Sequence, residues 1–269
     1  MTVKTIFLDL DDTLLSDEQA VQSALDRTTA FLVSKYPHVK AEDFDTALKN
    51  RAVTLLDTYA IYDFTVQIGI SPFEVLWGEF SDGTLRFPEL AKSAKAYRQQ
   101  VWTMALADVG ILHHRLAKLI SLMFVVIRIE NAVPYDDTYT ALNALYERYE
   151  LVLLTNGAPS LQQLKLEKAP ELRKYFKKII ISGDFGQGKP SPELFDFALS
   201  RAKADKATSL MVGDQLFTDI LGANTVGMRS VWLNRKGVAQ SELATPDYTV
   251  NSLTEVVALL DKIDKVEGM

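Results

Sequence analysis

Val3-Lys4-Thr5-Ile6-Phe7-Leu8-Asp9-Leu10-Asp11-Asp12-Thr13-Leu14-Leu15 begins with β-branched and aromatic residues and runs directly into three acids. This texture predicts a strand that ends in a carboxylate cluster. Alone, such a cluster fits an acidic surface turn as well as a site. What separates the two is the rest of the chain.

From about Val133 onward, short apolar runs alternate with amphipathic stretches. Leu151–Leu154, Ile179–Ile181, Leu210–Val212 and Val231–Leu233 are strands by this pattern, with helices around Thr138–Tyr149, Pro192–Ala204 and Thr218–Asn224. Strand–helix alternation, with runs too apolar to have a wet face, predicts an α/β fold with a parallel sheet covered on both sides. Ligands of such sheets bind beyond the carboxyl ends of the strands. The residues that follow the first four runs are therefore informative. They are Asp9, Asp11, Asp12 and Thr13; Thr155, Asn156 and Gly157; Gly188-Lys189-Pro190; and Gly213-Asp214, with Asp219 about one helical turn later.

One sheet edge would thus gather several acids, an amine and hydroxyls. Crowded carboxylates repel and take up protons unless a cation neutralises them. Hard oxygen ligands select magnesium, which also pairs with substrate phosphate. Asp9 can serve as a carboxylate nucleophile, and Asp11, two residues on, as the acid/base. Thr155, the Asn156 amide and Lys189 suit the oxygens of a transferring phosphoryl group.

Between the two strand regions, roughly residues 16–130, the pattern is helical. Ser16 and Gln19 have capping-box spacing, and Asp17 and Glu18 would occupy the first turn. Leu112, Leu116, Leu119, Ile120, Met123 and Ile127, widened by Leu122, Val125 and Val126, suggest a helix buried between others. Trp77 and Trp102 are expected in the core. Arg51, Arg86, Arg98 and Arg128 are expected on solvated faces, although each could meet an anionic substrate. His113 and His114 would point about 100° apart on a helix and make a poor metal pair. Ser81-Asp82-Gly83-Thr84 looks like a plain turn.

Four segments together resemble the haloacid dehalogenase superfamily. Asp9-Leu10-Asp11-Asp12-Thr13 resembles its first motif, and Leu153-Leu154-Thr155-Asn156-Gly157 its second. Gly188-Lys189-Pro190 with Pro192-Glu193 is similar to the third, and Gly213-Asp214 with Asp219 to the fourth. The order is the family's own. The resemblance implies a Rossmann-like core over residues 1–15 and 131–269, with an inserted helical cap, of the C1 type, over 16–130. It also implies that Asp9 is nucleophile and metal ligand, while Asp11 is acid/base and offers its carbonyl to Mg2+. Asp214 would be a direct ligand, and Asp219 a ligand or a partner of Lys189. Thr13 would steady the turn. The resemblance is to the branch of N-acylneuraminate-9-phosphatase, pyrimidine nucleotidase and phosphoglycolate phosphatase; Asp12 departs from the glycine many members carry, though Asp is frequent among phosphatases resembling the first two.

The implied activity is hydrolysis of a small phosphate monoester. A dehalogenase usually lacks an acid at the place of Asp11, and a phosphonate hydrolase needs a lysine nearer than Lys35. A phosphomutase keeps the same acids and stays open. A phospho-accepting signalling module would be shorter and lack the helical insert, and a non-catalytic interaction protein would not need every motif residue. The absence of cysteine excludes disulfides and thiolate chemistry. A net charge of −6 argues against broad contact with nucleic acid or an anionic membrane. The stretch before Leu8 is too short and too soon acidic for a signal peptide, and no apolar run spans a bilayer. The expectation is a cytoplasmic protein, monomer or homodimer, with a phosphorylated metabolite as its partner.

Overall fold

The structure, a computed structural model, describes residues 2–267. Met1, Gly268 and Met269, which the sequence division places in the core, lie outside the described residues. The chain forms two compact units. One comprises the residues up to Ser16, Val133–Gly157 and the chain from Ala169 onward; the other comprises Asp17–Ala132 and Ala158–Lys168.

The first unit is built on a six-stranded sheet. Its strands are β1 (Thr5–Leu8), β2 (Glu150–Thr155), β3 (Lys178–Ile181), β4 (Ser209–Gly213), β5 (Arg229–Leu233) and β6 (Tyr248–Val250). They pair in parallel throughout, in the order β3-β2-β1-β4-β5-β6. This is the α/β architecture that the apolar runs predict. Phe7, Val152, Leu154 and Met211 pack with Leu194, Phe195, Ala198 and Ala223, which come from α10 (Pro192–Ala202) and α11 (Leu221–Val226). The alternate residues Ile6, Leu8, Leu151, Leu153, Leu210 and Val212 are buried as well. Both faces are therefore covered, which is why these strands read as continuous apolar runs. Helices α7 (Thr138–Tyr146) and α12 (Leu253–Glu267) pack together, and a short helix, α9 (Ser182–Phe185), follows β3. Strand β6 and helix α12 have no counterpart in the sequence reading, because a three-residue, partly exposed strand carries too little pattern.

Strand β1 lies between β2 and β4, where chain progression reverses direction across the sheet. Its last residue, Leu8, stands level with Leu153 and Val212, and the Asp9 amide donates to the Val212 carbonyl at 3.0 Å. The residues just beyond β1, β2 and β4 therefore emerge side by side at the reversal, the preferred ligand position in such sheets.

The second unit is helical: α1 (Asp17–Lys35), α2 (Ala41–Leu56), α3 (Tyr62–Ile68), α4 (Pro72–Val75), α5 (Phe87–Asp108), α6 (His114–Glu130) and α8 (Pro159–Lys168). Helix α2 packs on α5, and α6 packs on α1, α5 and α8. Trp77, Trp102, Tyr97, Phe44 and Phe124 fill the core. The segment 158–168 follows the second motif and was expected in the sheet unit. It clusters with the helices because Ala158 and Leu161 join their core.

Three local expectations need correction. Helix α6 begins at His114, leaving Leu112 outside and 91% exposed; Leu119, Leu122 and Val126 face solvent too. Its neighbours cover only the face of Leu116, Ile120, Phe124 and Val125, so the apolar arc is wider than the buried one. Arg98 and Arg128 are buried rather than solvated. Arg98 donates to Gly78 O and Glu79, and Arg128 to Asp17 and Asn131 O; these contacts of the terminal nitrogens offset the burial of each charge. Arg51 and Arg86 pair at the surface with Asp108 and Glu89. Asp82 does more than form a turn: it accepts from the Ser160 amide at 2.9 Å and from its hydroxyl at 2.6 Å, serving the first turn of α8. His113 is exposed, and its Nδ1 accepts from the Leu116 amide at the start of α6. Among the described residues no helix is long and apolar enough to cross a membrane.

A buried ionic group holds the helical unit together. Lys165 Nζ lies 3.0 Å from Glu74 Oε1 and 3.2 Å from Asp17 Oδ1, while Arg128 pairs with Asp17. Both cations sit over the Trp77 ring, at 4.6 Å for Arg128 and 5.9 Å for Lys165. Burial alone would raise the Asp17 pKa, but Lys165 and Arg128 outweigh it and hold the carboxyl below its ordinary value. Removing one member leaves a buried charge without its partner. Lys165→Ala is expected to cost about 3–5 kcal/mol, measured by denaturant unfolding followed through tryptophan fluorescence. An unchanged midpoint would mean the charges are solvated in solution.

Candidate active site

The site is built around Lys189. It is buried on the loop between α9 and α10. Its ammonium donates to Asp9 Oδ1 at 2.6 Å and to the Leu154 carbonyl at 2.9 Å, and it forms an ion pair with Asp219 Oδ1 at 2.7 Å. The loop is fixed by the side chain of Asn156: its Oδ1 accepts from Lys189 N at 2.7 Å and its Nδ2 donates to Lys189 O at 3.1 Å. The hydroxyl of Ser182 accepts from the Gly157 amide at 2.9 Å and braces the next residue.

Asp9 is the first residue past β1 and is buried. The chain then turns tightly: Asp12 N donates to Leu15 O, and Leu14 N and Leu15 N both donate to Leu10 O. Asp12 takes φ +56° in this turn. That left-handed conformation suits glycine and is tolerated by Asp, which accounts for the departure noted in the sequence. Asp11 is half-buried within the turn, where it bridges to Leu15. Thr13 is wholly buried and its hydroxyl donates to Asp214 Oδ1 at 3.4 Å. Thr155 ends β2, buried, with its hydroxyl donating to Asn156 O at 3.3 Å.

Asp214 follows β4. Its backbone carbonyl accepts from Trp232 Nε1 at 2.8 Å, and its Oδ2 accepts from Gln215 Nε2 at 2.8 Å. Asp219 lies within the π-helical turn Leu216–Ile220, fully buried, with Oδ2 accepting from Gln215 N at 3.0 Å. Gly213 makes room for it. A β-carbon there would lie 2.2 Å from Asp219 Oδ2 and 2.7 Å from Asp219 Cβ.

The structure therefore brings Asp9, Lys189, Asp214, Asp219 and Thr13 together, with Asn156 supporting the lysine. Thr155 and Asp11 occupy the same edge of the sheet. Sequence reasoning missed Arg235, Tyr135, Asp137, Trp232 and Gln215. A signal for Arg235 existed: Asn234-Arg235 directly follows the run Val231–Leu233, and residues after such runs reach this edge.

The electrostatics are unbalanced. Burial pushes the Asp9 carboxyl up to about 6, with Lys189 pulling it down and Asp219 adding to the rise. Burial, followed by repulsion from Asp9, Asp219 and Asp12, pushes Asp214 up to about 8. Burial works against the charged amine of Lys189, yet Asp219 and Asp9 hold its pKa above the usual lysine value. Carboxylate oxygens of Asp9, Asp214 and Asp219 lie within 4.8 Å of one another. Three ionised carboxylates against one ammonium leave a deficit of two positive charges. A hard divalent cation would supply these, and an all-oxygen donor set fits it.

A family model described as haloacid dehalogenase-like hydrolase matches residues 3–227. The chain belongs to this family of hydrolases. The family resemblance of the four motifs is thereby shown. A phosphoserine phosphatase of Thermus thermophilus is 35% identical over 257 residues, covering 94% of this chain and 98% of the relative. The N-acylneuraminate-9-phosphatase of Mus musculus is 29% identical, covering 97% of this chain and 95% of the relative. Among solved structures, the HAD-hydrolase YfnB of Bacillus subtilis, bound to magnesium, shares the fold with a TM-score of 0.67. It is 21% identical and the match covers 97% of this chain and all of that one.

Two outcomes follow from this geometry. A carboxyl whose pKa is raised on folding stabilises the fold below its unfolded pKa and loses that contribution as pH rises through the folded value. Metal-free protein should therefore lose thermal stability between about pH 4 and about pH 8, as Asp9 and then Asp214 ionise. Added Mg2+ should restore it at the upper end of that window; a metal-free midpoint that rises with pH would contradict this electrostatic account. Gly213→Ala should drive Asp219 off Lys189 and destabilise the protein by about 1–3 kcal/mol, an ordinary overpacking cost, with loss of turnover. A variant with wild-type midpoint and activity would show that the Asp219 position is not critical.

Proposed function

We propose that the chain is a magnesium-dependent phosphatase that hydrolyses a small phosphate monoester through an aspartyl-phosphate on Asp9. The observation that carries this reading is the Lys189 ammonium fixed between Asp9 and Asp219, with Asp214 at the rim of the same cluster. It places a positive charge against a carboxylate that emerges, buried, from the central strand. With a pKa of about 6, Asp9 is mostly ionised near neutral pH, as a nucleophile must be.

Asp9, Asp214 and the backbone carbonyl of Asp11 would hold Mg2+, which supplies charge that draws phosphate oxygens to the site and offsets the developing negative charge. In the first step a carboxylate oxygen of Asp9 bonds to phosphorus as the ester oxygen departs, taking a proton from Asp11. In the second step Asp11 removes a proton from water, which attacks phosphorus and expels the Asp9 carboxylate. Inorganic phosphate leaves and both acids are restored. Lys189, the Thr155 hydroxyl and the Asn156 amide would hold the equatorial oxygens. The side chain of Asn156 is occupied by the Lys189 backbone, which leaves its amide for this role.

The similarity to phosphatases of phosphoserine and N-acylneuraminate 9-phosphate favours small metabolites that carry a phosphate. The test is phosphate release from p-nitrophenyl phosphate and from a panel of phosphoamino acids, sugar phosphates and nucleoside monophosphates, with and without Mg2+. Asp9→Asn should abolish release, and Asp11→Asn should lower kcat roughly 10²- to 10⁴-fold, the scale of general acid–base catalysis. Full activity in either variant would overturn the assigned roles. Turnover that requires a bisphosphate activator would indicate a mutase instead.

A further inference from the structure

The turn carrying Asp11 and Thr13 meets Asp214 through the Thr13 hydroxyl, which donates to Asp214 Oδ1 at 3.4 Å. Its support comes from a separate group of residues at the same sheet edge. Arg235 lies two residues beyond β5, with its side chain 16% exposed. One terminal nitrogen donates to the Thr13 carbonyl at 3.3 Å and to Asp137 Oδ1 at 2.9 Å; the other donates to Asp137 Oδ2 at 3.3 Å. The guanidinium carbon stacks 3.9 Å from the centre of the Tyr135 ring.

Each of these partners is anchored elsewhere. Asp137 Oδ2 also accepts from the Leu253 amide at 2.7 Å, which ties it to the first residue of α12. Tyr135 N and the Thr138 hydroxyl both donate to the Leu14 carbonyl, at 3.2 and 2.8 Å, and Ser16 N donates to Val133 O at 2.7 Å. The turn is thus gripped on Leu14 and Ser16 by the segment 133–138, and on Thr13 by Arg235. Thr13 then spends its hydroxyl on Asp214 Oδ1, while Gln215 holds Oδ2.

We propose that Arg235 is a positioning residue for the carboxylate centre, acting through Thr13 to set the orientation of Asp214. The inference rests on the reading of Asp214 as a cation ligand. The chemistry requires arginine. Its planar fork meets both oxygens of Asp137 and the Thr13 carbonyl at once, and its flat face stacks on Tyr135; a lysine offers a point charge that does neither together. Outer partners of this kind typically govern metal affinity by 10- to 100-fold.

The test is calorimetric titration with Mg2+ of the wild type, Arg235→Ala, Arg235→Lys, Thr13→Val and the Arg235→Ala/Thr13→Val double variant, alongside thermal midpoints. Arg235→Ala should weaken Mg2+ binding about 10-fold, with Arg235→Lys recovering only part of it. Thr13→Val should weaken it similarly, and the double variant should bind no more weakly than Thr13→Val alone, since the two act through one path. If Arg235→Ala does not fold, Arg235→Lys carries the same comparison. Wild-type affinity in the folded Arg235 variants, or losses that add in the double variant, would overturn the proposal, whatever happens to the midpoints. A wild type that binds Mg2+ yet releases no phosphate from any ester would instead remove the phosphatase reading and leave this comparison standing. A wild type that binds no Mg2+ would overturn both.

Discussion

A buried ammonium between two buried carboxylates sets the terms for everything around it. Lys189 could not be buried alone, because desolvating its charge without partners is costly. Asp9 and Asp219 could not be buried alone for the same reason, and each holds the other's compensation. The Leu154 carbonyl, which also accepts from the ammonium, comes from the strand next to β1, so the lysine links the sheet to the loop that carries it. The Asn156 side chain clamps that loop through the backbone N–H and carbonyl of Lys189. Gly213 is bare so that Asp219 can reach the lysine at all. Four sequence-distant segments, at Asp9, Leu154–Asn156, Lys189 and Gly213–Asp219, thus meet at one charge.

The same arrangement leaves the site unfinished by design of its charges. Lys189 balances one of three clustered carboxylates, and the imbalance falls on Asp214, the member that Lys189 does not touch. Its carboxyl is accordingly the one pushed furthest, to about 8, against about 6 for Asp9. The protein therefore distinguishes two acids of identical chemistry. Direct contact with the amine limits the rise at Asp9, and Asp214, which lacks that contact, is pushed further up. Perturbation of this size at a sheet's carboxyl edge is the pattern expected of a working site, where folding stability gives way to reactivity.

Much of this was legible in the chain because it is written locally. The strands carrying Asp9, Thr155, Lys189 and Asp214 are short apolar runs, and each motif follows its run within a few residues; the geometry of a parallel sheet then forces them together. Other features were not legible because their cause lies far off in sequence. Arg98 and Arg128 look like ordinary surface arginines until Gly78, Asp17 and Asn131 are folded against them. Helix α8 carries no mark of belonging to the helical unit, since that depends on Ala158 and Leu161 meeting a core assembled from residues before Asn131. The apolar arc of α6 misled in the opposite sense: Leu119, Leu122 and Val126 match the spacing of buried residues, but no described element packs over them. Periodicity reports what a helix could bury and is silent about what arrives to cover it.

Asn156 and Thr13 show a further limit on motif reading, because each divides its work between backbone and side chain. In the second motif, the Asn156 side chain holds the lysine loop, so any contact with a phosphate oxygen falls to its amide. In the first, the Thr13 carbonyl is held by Arg235 while its hydroxyl reaches Asp214. A motif written as residue types records only the side chains. In this chain the Asn156 side chain and the Thr13 hydroxyl both act as braces, and the backbone beside each is placed accordingly. Residues that appear to act on a substrate can therefore be required first for the placement of their neighbours, and Arg235, outside every motif, belongs to the same layer of support.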